Sequence, residues 1–177
     1  LSSLKEFLAR AEEWPLDDGV LRWGAWVCGR VGASNLASAF WKMVLSLNEN
    51  SEARIALARI ALDQGLIEQA DSHVSILLSH NARCGEGWLL RGIIAMQGPA
   101  FDVASIAFQK AVELGGDARK AWMGQGMAAA GLGQSEQAWT AFSTILDRFP
   151  DDADAIHWLL RAGTALKRWG ALAEHLE

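Results

Sequence analysis

RKAWMGQGMAAAGLGQSEQAWTAFSTILDRFPDD, residues 119–152, decides how the whole chain reads. Trp122, Gly126 and Ala129 are spaced four and three residues apart, which stacks them on one face of a helix. Gly131 and Gly133 break that helix. A second helix follows with Ala138, Phe142 and Ile145 at the same kind of spacing, and Pro150 with two aspartates closes the unit.

The unit recurs. Trp122 minus Trp88 is 34, and so are Gly126 minus Gly92, Ala138 minus Ala104 and Phe142 minus Phe108. A further step of 34 from Gly92 and Ala104 reaches Ala58 and Ala70, with Gly65 at the break. Helix–turn–helix units repeating at this period point to a helical solenoid, in which each pair covers the apolar face of the next.

These residues carry a resemblance to the tetratricopeptide repeat family. An aromatic stands at the fourth position (Trp88, Trp122) and a small residue at the eighth (Ala58, Gly92, Gly126). Alanine holds the twentieth (Ala70, Ala104, Ala138), and Val74, Phe108 and Phe142 hold the twenty-fourth. The resemblance implies an all-α fold: a right-handed helical solenoid, or superhelix, of stacked antiparallel helix pairs. The whole chain reads as one array: a second helix of a truncated repeat at 1–16, a degenerate repeat at 17–50, repeats at 51–84, 85–118 and 119–152, and a truncated repeat at 153–177. Expected helices span 2–13, 18–30, 34–47, 51–63, 66–80, 85–97, 100–114 and 153–166, with a last one within 167–177. The degenerate repeat reads as one residue shorter than the others. Leu1 is not a methionine and both ends fall within repeats, so the expected natural chain is longer.

Composition narrows the function classes. Apolar residues are 51% and charged residues 21% of the 177, a folding composition. The net charge of −5 lacks the basic excess of a nucleic-acid binder. The apolar run GWLLRGIIAM is interrupted by Arg91, and no run is long enough to span a bilayer. Cys28 and Cys84 lie about two repeats apart, beyond the roughly 7 Å reach between alpha carbons that a disulfide allows. Two free thiols favour the cytoplasm over the periplasm.

Catalysis, cofactors and metals find little support. Gly124-Gln125-Gly126 imitates a dinucleotide fingerprint, but that motif needs a preceding strand, and these glycines fall inside a helix. His73, His80, His157 and His175 lack the one-turn partner of a helical zinc site. Asp71, Ser72 and His73 are neighbours on one helix and point apart. Arg91 and Gln125 depart from the family's pattern at the seventh position, where Leu57 and Leu159 are apolar. Either both lie at a half-exposed seam, or they form a buried polar pair, joined by a carboxylate, that sets the angle between repeats.

In the family, the second, fifth, ninth and twelfth positions of the first helices line a groove. Carried over, they give Arg22, Trp26 and Gly29 in the degenerate copy, then Glu52, Ile55, Arg59 and Leu62. Next come Glu86, Leu89, Ile93 and Met96, then Lys120, Met123, Met127 and Ala130, then Asp154, His157, Arg161 and Thr164. The middle is apolar and methionine-rich, and arginines flank it. An apolar patch of this kind marks a contact, and methionines adapt to differing partners. The expected function is protein–protein interaction: a scaffold gripping a peptide or partner helix with acidic ends near the arginines. A neighbouring helix of a longer chain, or a second copy in self-association, would fill the same strip. The family's asparagine-based modes of peptide gripping are disfavoured, because no groove position is asparagine. The alternative function is an accessory segment of a larger bacterial enzyme, a glycosyl- or methyltransferase, or of a polysaccharide-export protein.

Overall fold

The structure, a computed structural model, describes residues 17–168. The helix expected over 2–13, and all but the start of the segment 167–177, lie outside the described residues. Among the described residues there are nine helices. They are α1 (Asp18–Arg30), α2 (Ser34–Leu47), α3 (Ser51–Asp63), α4 (Ile67–His80), α5 (Gly85–Gln97), α6 (Phe101–Glu113), α7 (Ala118–Gly131), α8 (Ser135–Leu146) and α9 (Ala153–Leu166). The fold is all-α, a succession of antiparallel helix pairs, and each boundary falls within a residue of the expected one where one was drawn.

Local chemistry sets these ends. Asn50 Oδ1 accepts from Ala53 N at 3.0 Å, and the side chains of Asp117 and Asp152 cap α7 and α9 in the same way. The turns after the first helices use glycine with positive φ: Gly32 at 74°, Gly65 at 71° and Gly133 at 73°. Pro99 holds this place after α5, and there the helix ends in an extended residue, Gly98, with φ −100°. Pro99 does not open α6: Ala100 is the N-cap and the helix starts at Phe101. After α9 the place falls to Lys167, which adopts φ 56° despite its side chain. A side chain costs roughly 1–2 kcal/mol in this left-handed region. Lys167→Gly should therefore raise stability by about 1 kcal/mol, read as a higher urea midpoint with unchanged slope.

The residues group into two compact units that divide between Leu57 and Ala58, within α3. In the first, α1 lies on α2, and Gly24 faces the Phe40 ring. Leu21, Ala25, Cys28, Ala37, Trp41 and Val44 fill its interior. The buried residues Gly24, Ala25 and Cys28 match Leu57, Ala58 and Ala61 at a step of 33 (58 − 25), so the first repeat is one residue short.

In the second unit α5 packs on α6 and on α4, α7 packs on α8 and on α6, and α9 packs on α8. Phe108, Leu89, Ala121 and Ala128 belong to one cluster, and Phe142, Ile145, Ala155 and Leu159 to the next. A methyl group built at Gly92 would come 2.6 Å from the Phe108 ring, and one at Gly126 would come 2.4 Å from Phe142. The eighth position is thus small because the twenty-fourth is a ring pressed against it.

Candidate partner-docking site

The first helices of the second unit present one face made of their fifth, ninth and twelfth positions. Leu62, Ile93, Met96, Met123 and Met127 are half-buried there. Ile93 and Met96 rest on the cluster that includes Ala121 and Ala128 of α7. Met123 and Met127 rest on the cluster that includes Ala155 and Leu159 of α9. Each apolar pair therefore lies against a cluster to which the next first helix contributes, and α5 contacts α7 as α7 contacts α9. Neither methionine is sealed inside.

Leu89 departs from its expected place. Only 1% of it is exposed, so it supports the strip from beneath and offers no surface to a partner. The cause is the glycine content of α5. A methyl on Gly85 would lie 2.5 Å from the Gly116 backbone nitrogen, and one on Gly87 would lie 2.9 Å from Leu78. With no side chains at these points, α5 sinks against its neighbours and carries Leu89 below the surface.

The arginines divide into two kinds. Arg59 is exposed and bonds Glu86, at the second position of the following repeat, at 2.5 Å. Arg22, in the first unit, bonds Glu52 and lies 3.6 Å from Asp18. Arg119 at the start of α7 reaches Asp152 at 2.5 Å and Asp154 at 3.4 Å. An acid at the second position thus receives a cation from the repeat before it, a tie between repeats. Arg161 differs. It has no carboxylate among the described residues; its guanidinium lies 4.6 Å from the Trp158 ring, with His157 edge-on to the same ring at 6.0 Å. His157 and Arg161 are both exposed at the α9 end of the strip.

Trp26 in the first unit is 58% exposed and holds Arg30 over its ring at 5.3 Å. Ile55 is half-buried. Arg22, Trp26, Gly29, Glu52 and Ile55 belong to the first unit, and the remaining groove candidates to the second.

Arg91 and Gln125 are not joined to each other. Arg91 donates to Asp71 at 2.8 Å and to Ser75 Oγ at 2.9 Å, with 28% of its side chain exposed. It is a half-exposed seam residue with a carboxylate partner. Gln125 instead lines a cleft of about 390 Å³ between α6 and α8. No sequence signal marked that cleft, because it depends on what the seam residues fail to fill.

Burial pushes the thiol of Cys28 up, while half-buried Cys84 caps α5 by accepting from Gly87 N at 3.4 Å. No described helix is long and apolar enough to cross a membrane, and no group of three metal-ligating side chains forms among the described residues.

No curated protein sequence matches the chain. Among solved structures, MamA from Desulfovibrio magneticus RS-1 superimposes with a TM-score of 0.78 at 16% identity, covering 90% of each chain. A tetratricopeptide repeat protein from Parabacteroides merdae gives 0.75 at 19% identity, covering 98% of this chain and 68% of its own. The first TPR of Spaghetti (RPAP3), bound to the HSP90 peptide SRMEEVD, gives 0.62 at 20% identity, covering 66% of this chain and 95% of its own. These likenesses establish a shared fold. The family model described as tetratricopeptide repeat matches residues 55–119 and 101–153, together more than half of the sequence. The protein belongs to the tetratricopeptide repeat family, whose members typically serve as scaffolds for protein–protein interaction.

Proposed function

We propose that the strip of Leu62, Ile93, Met96, Met123 and Met127 docks a peptide or helix of a protein partner, and that the chain carries no chemistry of its own. The observation that supports this most is a half-buried apolar face on α5 and α7, with Arg161 on α9 lacking a carboxylate partner among the described residues. A contiguous apolar face costs free energy in water and gains it when covered. Methionine's flexible thioether fits several shapes. Arg161 and His157 set the polarity: the acidic end of the partner lies over α9. The other arginines are already answered by Glu52 and Glu86. A structural relative is described as bound to a peptide that contains methionine and ends in Glu-Glu-Val-Asp, a related combination of apolar and acidic groups.

A peptide-display selection on the whole protein tests this. Apolar peptides with an acid at one end should be enriched. The Met123→Glu/Met127→Glu double variant should lose about 100-fold in affinity for them, roughly 2.7 kcal/mol, with its helical circular dichroism unchanged. Arg161→Glu should weaken only the peptides that carry the acid. Equal binding by wild type and double variant would remove the strip from consideration.

A further inference from the structure

The cleft between α6 and α8 has a counterpart one repeat earlier, and the two differ in chemistry. A step of 34 carries Asp71 to Ser105, Arg91 to Gln125 and Lys110 to Thr144, while Trp88 becomes Trp122 and Asp102 becomes Glu136. In the earlier seam the protein uses its own cations. Arg91 reaches across to Asp71 and Ser75, and Lys110 Nζ stands 4.1 Å from the Trp88 ring.

In the later seam Gln125 and Thr144 stand in place of these two cations, the Trp122 ring is faced by Arg148 instead, and a cleft of about 390 Å³ remains. That volume is within the range of small-ligand sites. Its serine, threonine, glutamine and glutamate side chains can each accept a hydrogen bond. Thr140 Oγ1 donates to the Glu136 carbonyl at 3.0 Å, and Thr144 Oγ1 to the Thr140 carbonyl at 2.7 Å, leaving both oxygens as acceptors. Ser105 and Gln125 make no hydrogen bond among the described residues, and Gln109 is turned along its own helix to Glu113 at 2.9 Å. Glu136 is the one carboxylate in the lining, and its partner Arg168 is a solvent-exposed contact at 2.8 Å. Such exposed pairs contribute little and exchange readily. Arg148 lies 4.7 Å from the Trp122 ring, which shows that this indole accepts a guanidinium.

We propose that the α6–α8 cleft is a second recognition site, which takes an arginine side chain of a partner in the place where the preceding repeat inserts its own Arg91. The guanidinium donates to Gln125 Oε1, Ser105 Oγ and Glu136, with its stem along Ala129 and Ala141. Its planar fork of donors matches a lining of acceptors better than an ammonium does. The net charge of −5 favours the approach of a cationic segment. The site is independent of the methionine strip, since it uses none of that strip's positions.

The test titrates the whole protein with acetyl-Gly-Arg-Gly-amide and with the same peptide carrying citrulline or glutamate. The readout is the NMR signals of the Trp122 indole N–H and the Gln125 amide. The arginine peptide should give saturable shifts with a dissociation constant on the order of millimolar. The citrulline peptide should bind at least ~10-fold more weakly, about 1.4 kcal/mol, and the glutamate peptide not at all. Ser105→Asp/Gln125→Arg rebuilds the earlier seam and should abolish the shifts while the circular dichroism stays helical. Should that variant unfold, Glu136→Gln decides: several-fold weaker binding supports the site, and unchanged binding overturns it. No saturable shift, or equal shifts from arginine and glutamate peptides, also overturns it.

Discussion

Gly126→Ala is expected to cost about 2 kcal/mol of stability, although the same substitution in an open helix would gain roughly 1 kcal/mol. Helix propensity favours alanine, and an added buried methyl contributes about 0.8 kcal/mol more where it fits. Here it does not fit. The new methyl would lie 2.4 Å and 2.5 Å from two carbons of the Phe142 ring. Carbon atoms pack comfortably at roughly 3.5–4.0 Å, so ring or backbone must move by about an ångström. Phe142 is fully buried and stacks on Trp158 at 5.9 Å between centroids, which leaves the ring no free direction. The measurement is urea unfolding followed by hydrogen exchange in α7 and α8, because a repeat array can open one unit at a time. Phe142→Leu alone should also destabilise, by about 1 kcal/mol. The double variant should be more stable than the sum of the two single losses by at least ~1 kcal/mol. Simple additivity would show that the glycine is not there to accommodate the ring.

That pairing explains why so much of the fold was legible. The 34-residue step is a steric rule repeated: a ring at one place demands the absence of a side chain at another, sixteen residues before it (142 − 126 and 108 − 92). Both members are visible in the sequence, as are the turn glycines. The candidate site was legible only in part. The resemblance to the family assigns Leu89 to the groove face, but depth is set by how closely α5 approaches its neighbours, and that depends on Gly85 meeting the backbone at Gly116. Charges can be counted from sequence; their partners cannot. Arg59 and Arg161 stand at the same ninth position of their repeats, yet Glu86 answers one, and among the described residues an indole answers the other. The α6–α8 cleft was invisible for a related reason: Gln125 stood out only as a departure at the seventh position and Ser105 not at all, and they matter because Arg91 and Asp71 fill the corresponding seam.

Asp152 is where a second large effect is expected, and one with a pH signature. Its carboxylate is only 4% exposed and performs two tasks. One oxygen accepts from Ala155 N at 3.0 Å, capping α9, and the other accepts from Arg119 Nε at 2.5 Å, tying α9 to α7. The Arg119 hydrogen bond, with the Ala155 amide helping, holds the carboxyl below the usual carboxylate range, while partial burial opposes the shift. A group whose pKa is lower folded than unfolded stabilises the fold at any pH above its unfolded value, near 3.9, and that stability is lost as the pH falls through the folded value. Wild type should therefore lose stability below about pH 4, and Asp152→Ala should lose less there, since it has no such proton to bind. At neutral pH the variant should be less stable by about 2 kcal/mol, combining a lost cap with an arginine left without its nearest acceptor. Asp152→Asn separates the two tasks. Asparagine still caps a helix, so it should recover the cap and leave only the ion-pair loss, with the acid-dependent part still missing. Should Asp152→Ala retain the full acid sensitivity of wild type, the proton responsible binds elsewhere, with Asp117, whose carboxyl is also held low by the Lys120 amide, the next residue to replace.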